Sequence, residues 1–310
     1  MATALITHED CDGHVTPTGH PEQVARLHHV LRALEELNLQ RVIAPLAADD
    51  DLLLAHPQEY IDAIRDVAPT SGRVSLDGDT HMVEGSLHAA LRCVGGCTRG
   101  VDMVMGGEVA NVFVATRPPG HHAERATPMG FCIFGSVAIA AKYALEHHGL
   151  DRVAVLDFDV HHGNGTQDLL EGDSRCFFAS SHEMPLFPGT GHAHETGGHN
   201  NVVNVPLPSR TGDAAFRKGW EEEIFPAARR FRPQLILVSA GFDAHAADPL
   251  ASLQLHEDDF AWVTERICDL ADELCEGRIV SALEGGYDLD ALGRSARAHV
   301  DVLLHRGQQR

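Results

Sequence analysis

A chain of 310 residues, 44% hydrophobic and 22% charged, carries enough apolar material for one large α/β domain or two smaller ones. Its formal charge of −21 disfavours nonspecific binding to nucleic acid or an anionic membrane, and favours cationic substrates such as lysine-rich peptides or polyamines. No apolar run is long enough for a membrane span, the N-terminus has no basic n-region or long h-region, and seven cysteines, an odd number, argue against a disulfide framework, so a reducing cytoplasm is expected.

Residues 2–7 are expected to form a first strand, and the Gly-, Thr- and Pro-rich residues 11–20 a loop. Pro21 is placed to open a helix with Leu27, Val30, Leu31, Leu34 and Leu37 on one face. Residues 49–66 read as short helices around Pro57, residues 73–80 as a loop with Asp77 and Asp79, and residues 83–99 as a helix. A strand over 111–116 leads into His121-His122, and an alanine-rich helix over 135–148 precedes a central strand, Val153-Ala154-Val155-Leu156. Further strands are expected over 175–180, 202–205, 235–239 and 278–283, with helices over 213–230, 257–276 and 289–304. Strands alternating with helices imply a mostly parallel sheet covered on both faces, and no repeat or linker divides it, so residues 1–310 are expected to form a single domain.

The central strand runs straight into Asp157-Phe158-Asp159-Val160-His161-His162-Gly163-Asn164-Gly165-Thr166. Ligands of parallel sheets bind beyond the carboxyl ends of strands, where these groups lie. Side chains alternate along an extended segment, so Asp157, Asp159 and His161 share one face. Mixed oxygen and nitrogen ligands suit zinc, iron(II) or cobalt(II) better than magnesium or calcium. Asp243, just past another strand, is the natural third ligand beside Asp159 and His161, and three protein ligands leave a position for water, as in catalytic zinc sites. A histidine can then take the proton, and Tyr287, after a glycine turn, can donate to a developing oxyanion. His28-His29 and His147-His148 fall in helical patterns and read as solvated surface; His121-His122 and His161-His162 stand at strand exits beside Pro or Gly.

The segments Arg117-Pro-Pro-Gly-His-His-Ala123, Gly130-Phe131-Cys132, 157–166, Phe187-Pro-Gly-Thr-Gly191, Ser239-Ala-Gly-Phe-Asp243 and Leu283-Glu-Gly-Gly-Tyr287 resemble the signature segments of the histone deacetylase superfamily. The match runs in order from His20-Pro21-Glu22 to Tyr287, and Asn164 with Asp77-Gly78-Asp79-Thr80 makes it most similar to the class II branch and its bacterial amidohydrolase relatives. The resemblance implies a single arginase/deacetylase-type α/β domain and zinc-dependent hydrolysis of an N-acetylated amine. By motif, Asp159, His161 and Asp243 would bind zinc. His122 would be the general base and then acid, His121 the neighbouring charge-stabilising imidazole, Asp157 its orienting partner, and Tyr287 the oxyanion donor. Asn164 stands where many relatives have an aspartate, so His122 is expected to be less basic than theirs.

The same resemblance places Phe131 and Phe187 as walls of an acyl-lysine channel beside Gly130, with Asp79 at the rim holding substrate amides. It implies a potassium ion surrounded by backbone oxygens of Asp157, Asp159, His161 and Ser181 and by side-chain atoms of Asp157 and Ser180. Gly163 stands where two-metal arginase-type enzymes need another carboxylate, and His245 follows Asp243 by two, so one metal is expected. Leu250 after Asp248-Pro249, where polyamine deacetylases of eukaryotic type have an acid, leans toward an acetyl-lysine peptide or protein over an acetylated polyamine. His8, Cys11, His14 and His20 resemble the start of a second, structural zinc site, but no cysteine accompanies Asp79 to complete it. An acetylpolyamine or small-amide hydrolase and a non-catalytic acyl-lysine reader are the alternatives, and a homo-oligomer is compatible with any of them.

Overall fold

The computed structural model describes residues 1–310. In chain order its strands are β1 (Thr3–Thr7), β2 (Gln40–Ile43), β3 (Arg73–Ser75), β4 (His81–Val83), β5 (Asn111–Val114), β6 (Val153–Asp157), β7 (Cys176–Glu183), β8 (Val202–Leu207), β9 (Leu235–Ala240) and β10 (Ile279–Leu283). The helices are α1 (Ala25–Ala33), α2 (Asp49–Leu52), α3 (Gln58–Val67), α4 (Ser86–Met105), α5 (Ser136–His148), α6 (Asn164–Leu170), α7 (Asp213–Gly219), α8 (Phe225–Phe231), α9 (Glu257–Leu274) and α10 (Leu289–Gln308).

Eight strands pair in the order β2-β1-β5-β10-β9-β6-β7-β8, every pair parallel. Alternation along the strands sorts their side chains into two cores. Leu5, Phe113, Leu156, Ile236 and Val238 face α1, α8, α9 and α10, whereas Ala4, Ile6, Val112, Val155 and Leu237 face α3, α4 and α5. Helix α1 buries Leu27 and Val30, with Leu34 just beyond its end, as the apolar spacing predicts. Truncating Leu27 to Ala would cost about 2–5 kcal/mol in lost transfer energy and cavity formation.

Differences from the sequence expectation have local causes. Helix α1 begins at Ala25, not Pro21. The backbone N–H of Glu22 is taken by His20 Nδ1, and its carboxylate is drawn into a buried ion cluster, so the chain turns before it winds. Residues 73–75, expected as loop, pair antiparallel with 81–83, and the helix expected from residue 83, α4, starts at Ser86. Strand β2 was not expected, because it lies at the sheet edge with three of its four residues exposed and no apolar periodicity. The expected helix over 213–230 is α7 and α8 joined by a wide turn at Trp220–Ile224, in which the Phe225 N–H reaches back five residues to Trp220. Pro226 has no N–H to continue an ordinary ladder there.

Candidate active site

The four central strands, β5, β10, β9 and β6, end side by side and deliver the chemistry from their carboxyl ends. The turn after β5 carries His121-His122, β10 leads into Glu284 and Tyr287, β9 into Asp243, and β6 into Asp157, Asp159 and His161.

Asp159, His161 and Asp243 offer ligand atoms all within 4.8 Å of one another, and all three residues are buried. His161 Nδ1 lies 3.2 Å from Asp159 Oδ1 and 3.1 Å from Asp243 Oδ2. The backbone fixes the carboxylates: Asp159 accepts from the N–H groups of His161 and Gly285, and Asp243 from that of Val160. Gly241 and Gly285 close the cradle, since a Cβ at Gly241 would overlap Asp159 and one at Gly285 would overlap both carboxylates. Burial opposes ionisation of Asp159, but His121 and His161 outweigh it and hold its pKa well below the usual carboxylate range. Burial likewise opposes charge on His161, yet Asp159 and Asp243 push its pKa up to about 10. Asp157, Asp159, Asp243 and Glu284 are all buried and none is salt-bridged to a lysine or arginine. A divalent cation held by Asp159, His161 and Asp243 fits this donor set and this charge.

The two imidazoles sit side by side, their planes tilted by 43°, with different partners. His121 Nδ1 meets Asp157 Oδ2 at 3.0 Å, and His122 Nδ1 meets Asn164 Oδ1 at 2.7 Å. The ring centroids are 4.0 Å apart. Burial disfavours charge on both, but Asp159 and Asp157 reverse that for His121 and raise its pKa well above the ordinary value. For His122, burial and then the neighbouring His121 and His161 act together and hold it well below. Two adjacent histidines thus have opposite protonation preferences: the carboxylates beside His121 outweigh its burial, whereas burial and the neighbouring imidazoles keep His122 neutral.

A cleft of roughly 330 Å³ leads from the surface to these groups. Its walls include His122, His161 and Tyr287 together with Gly130, Phe131, Phe187, Asp79 and Leu250, so all the residues expected to contact substrate line one channel. Phe187 stands 5.1 Å from the His122 ring and Phe131 5.8 Å from the Tyr287 ring, centroid to centroid. Gly130 has φ +55°, and a Cβ there would collide with the His122 imidazole. Asp79 sits at the rim, half-buried, with burial and then Asp77 raising its pKa. Ser180 pairs with Asp157 across β6 and β7, and its Oγ lies 2.8 Å from His182 Nδ1.

Sequence reasoning missed a supporting layer. Buried Glu22 receives Arg117 (2.5 Å) and Arg26 (3.0 Å); Arg26 also donates to the carbonyls of Glu284 and Gly286 and lies over the Tyr287 ring at 4.8 Å. Glu284 accepts from the N–H groups of Gly120 and His121, which fixes the histidine turn; burial pushes its pKa up to about 7. The signal was present in Arg117-Pro-Pro-Gly and Leu283-Glu284-Gly285-Gly286, where charged residues stand inside otherwise buried strand exits. His14 and His20, considered for a second zinc, are engaged elsewhere: His14 by Ser86 and Glu22, His20 by the Asp79 carbonyl. His245, His256 and Glu257 form another close group. The Ala247 N–H donates to His245 Nδ1, which puts the ring proton on Nε2 facing Glu257 and leaves no lone pair there for a metal.

A family model described as histone deacetylase domain matches residues 20–303. The chain belongs to the histone deacetylase family. It is therefore a deacetylase/amidohydrolase of that family, acting on acetylated substrates in the general sense. It is 42% identical over 299 residues to "Histone deacetylase 10, chloroplastic" of Oryza sativa subsp. japonica, covering 89% of this chain and 68% of that protein. A "Probable deacetylase" of Archaeoglobus fulgidus is 38% identical over 299 residues (94% and 82%), and the "Histone deacetylase-like amidohydrolase" of Pseudomonas aeruginosa 41% over 253 residues (80% and 66%). The crystal structure of the HDA15 HD domain superposes with a TM-score of 0.91 at 31% identity, covering 99% of this chain and 93% of that one. The eight-stranded parallel α/β architecture is thus the family's own. No helix is long and apolar enough to cross a membrane.

Proposed function

We propose that residues 1–310 act as a single zinc-dependent catalytic domain that hydrolyses the amide of N-acetyl-lysine, or a related N-acylated amine, in a peptide or protein. The observation that carries the reading is that His122, His161 and Tyr287 open onto one narrow channel walled by Phe131 and Phe187. A lysine stem between two aromatic faces gains about 0.8 kcal/mol per buried methylene while its amide reaches the polar end.

Asp159, His161 and Asp243 would hold zinc, which would supply Lewis acidity toward the acyl carbonyl and acidify a water. The remaining steps belong to the chain. His122, neutral and with Nδ1 committed to Asn164, takes a proton at Nε2 and returns it to the leaving nitrogen. His121, paired with Asp157, carries positive charge beside the developing oxyanion. Burial raises the Tyr287 pKa well above its ordinary value, so its hydroxyl keeps the proton that it donates to that oxyanion. Asp79 holds substrate backbone amides at the rim, and Leu250 completes a neutral wall. The oxygens of Asp157, Asp159, His161, Ser180 and Ser181 would hold a potassium ion, whose charge would steady the segment that carries the metal ligands.

An acetyl-lysine peptide, an acetylated polyamine and a trifluoroacetyl-lysine peptide, each assayed with and without chelator, test this. The peptide is expected to be the better substrate and chelator to abolish turnover. Preference for the polyamine would reassign the substrate, and binding without turnover would make the protein a reader.

A further inference from the structure

Tyr287 follows two glycines, and Gly286 has φ +119°, so the turn that presents the phenol has little stiffness of its own. Arg26 secures the carbonyls of this turn at Glu284 and Gly286. Its amides are secured by a residue from a different loop, Asp248, between β9 and α9. Asp248 Oδ2 accepts from the N–H of Tyr287 at 2.7 Å and of Asp288 at 3.4 Å. Its other oxygen, Oδ1, accepts from the N–H of Leu250 at 3.0 Å. Leu250 and Tyr287 both line the channel.

We propose that Asp248 is a positioning residue, whose carboxylate locks the Leu250 wall of the channel to the turn presenting Tyr287, so that the phenol is held in register with a substrate lying against that wall. The inference rests on the reading of Tyr287 as oxyanion donor. Both carboxyl oxygens are used here as acceptors, each for backbone donors in a different segment. Asp248 is buried at 8% exposure and makes no salt bridge, so no paired cation explains the acid at this position. An asparagine would fit the volume, but its NH₂ would have to face either the Leu250 N–H or the Tyr287 and Asp288 N–H groups. Donor would then oppose donor, and one of the two segments would come loose.

The test is steady-state kinetics of Asp248→Asn in wild-type and Tyr287→Phe backgrounds, with metal content and thermal midpoint measured on each protein. Asp248→Asn should lower kcat by about 10-fold or more with metal content unchanged, since an ångström-scale misplacement of a catalytic group carries losses up to about 10². In the Tyr287→Phe background the same change should alter kcat by less than about twofold, because the group it positions is already gone. A purely structural role would give the same fold loss in both backgrounds and would overturn the proposal, as would a wild-type kcat in Asp248→Asn. If Tyr287→Phe alone leaves kcat unchanged, the oxyanion assignment fails, and the positioning role falls with it. Should Asp248→Asn not fold, Asp248→Glu keeps the charge but displaces both oxygens by a methylene; the same background-dependent loss is expected, and a wild-type kcat would overturn the role.

Discussion

Asn164 Oδ1 lies 2.7 Å from His122 Nδ1, and the amide cannot turn over because its Nδ2 donates to Glu124 Oε1, also at 2.7 Å. An amide oxygen only accepts, so the proton sits on His122 Nδ1 and the lone pair on Nε2. The tautomer that the proposed general base needs is thus set by an uncharged partner. Replacing Asn164 by Asp would add a negative charge that favours imidazolium. The His122 pKa should rise by about one unit or more, moving the acidic limb of the pH–kcat/KM profile upward. An unmoved limb would detach His122 from that titration.

Tyr287→Phe removes a hydroxyl from the channel end while the Arg26 contact and the Phe131 wall remain available to the ring. kcat should fall by about 10²-fold or more, with metal content unchanged. Unchanged turnover would end the assignment of that hydroxyl.

Asp243→Ala takes one of three ligands from a set whose atoms lie within 4.8 Å. The purified protein should hold substoichiometric metal by elemental analysis, and turnover should disappear with it. Full metal content would refute the ligand set.

Glu22 is the only carboxylate between two buried guanidinium groups, Arg26 and Arg117. Burial opposes its charge, but Arg117 and then its other neighbours more than offset that and hold its pKa well below the usual range. Glu22→Ala should destabilise the fold by about 3–5 kcal/mol, because it leaves buried cations without a counter-charge. Urea unfolding would show it as a lower midpoint; an unfolding free energy within about 0.5 kcal/mol of wild type would contradict the account.

His299 lies fully buried in the phenylalanine-rich core with Nδ1 on Thr264 Oγ1 (2.6 Å) and Nε2 on Ser281 Oγ (2.8 Å). Burial pushes its pKa down to about 3. The unfolded chain therefore takes up a proton near pH 6.5 that the folded chain refuses, and stability is lost as pH falls from there toward 3. Between pH 6.5 and 5 this group alone should remove about 1.6 kcal/mol. His299→Gln should flatten the stability–pH curve by about that amount over that interval; parallel curves would show that His299 is not the group responsible.

Strand alternation and the exits at His121, Asp157, Asp243 and Tyr287 were legible because a strand's period is two and a parallel sheet gathers its carboxyl ends on one edge. Chemistry-bearing types at those exits then stood out against apolar strands. Strand β2 was not legible, since an edge strand facing solvent leaves no apolar pattern. Glu22, Arg26, Asp248 and Glu284 escaped assignment for a different reason. Each acts on backbone groups or charges brought from distant segments, and such a partnership has no local signature.

Strand β10 is made last yet lies in the middle, between β5 and β9. Until it inserts, the sheet is two separate pieces, β2-β1-β5 and β9-β6-β7-β8, with His121-His122 on one and Asp159, His161 and Asp243 on the other. On the proposed assignment a partly synthesised chain would be inert by construction: the histidine pair and the Asp159, His161, Asp243 trio come into register only when β10 zips the two pieces together.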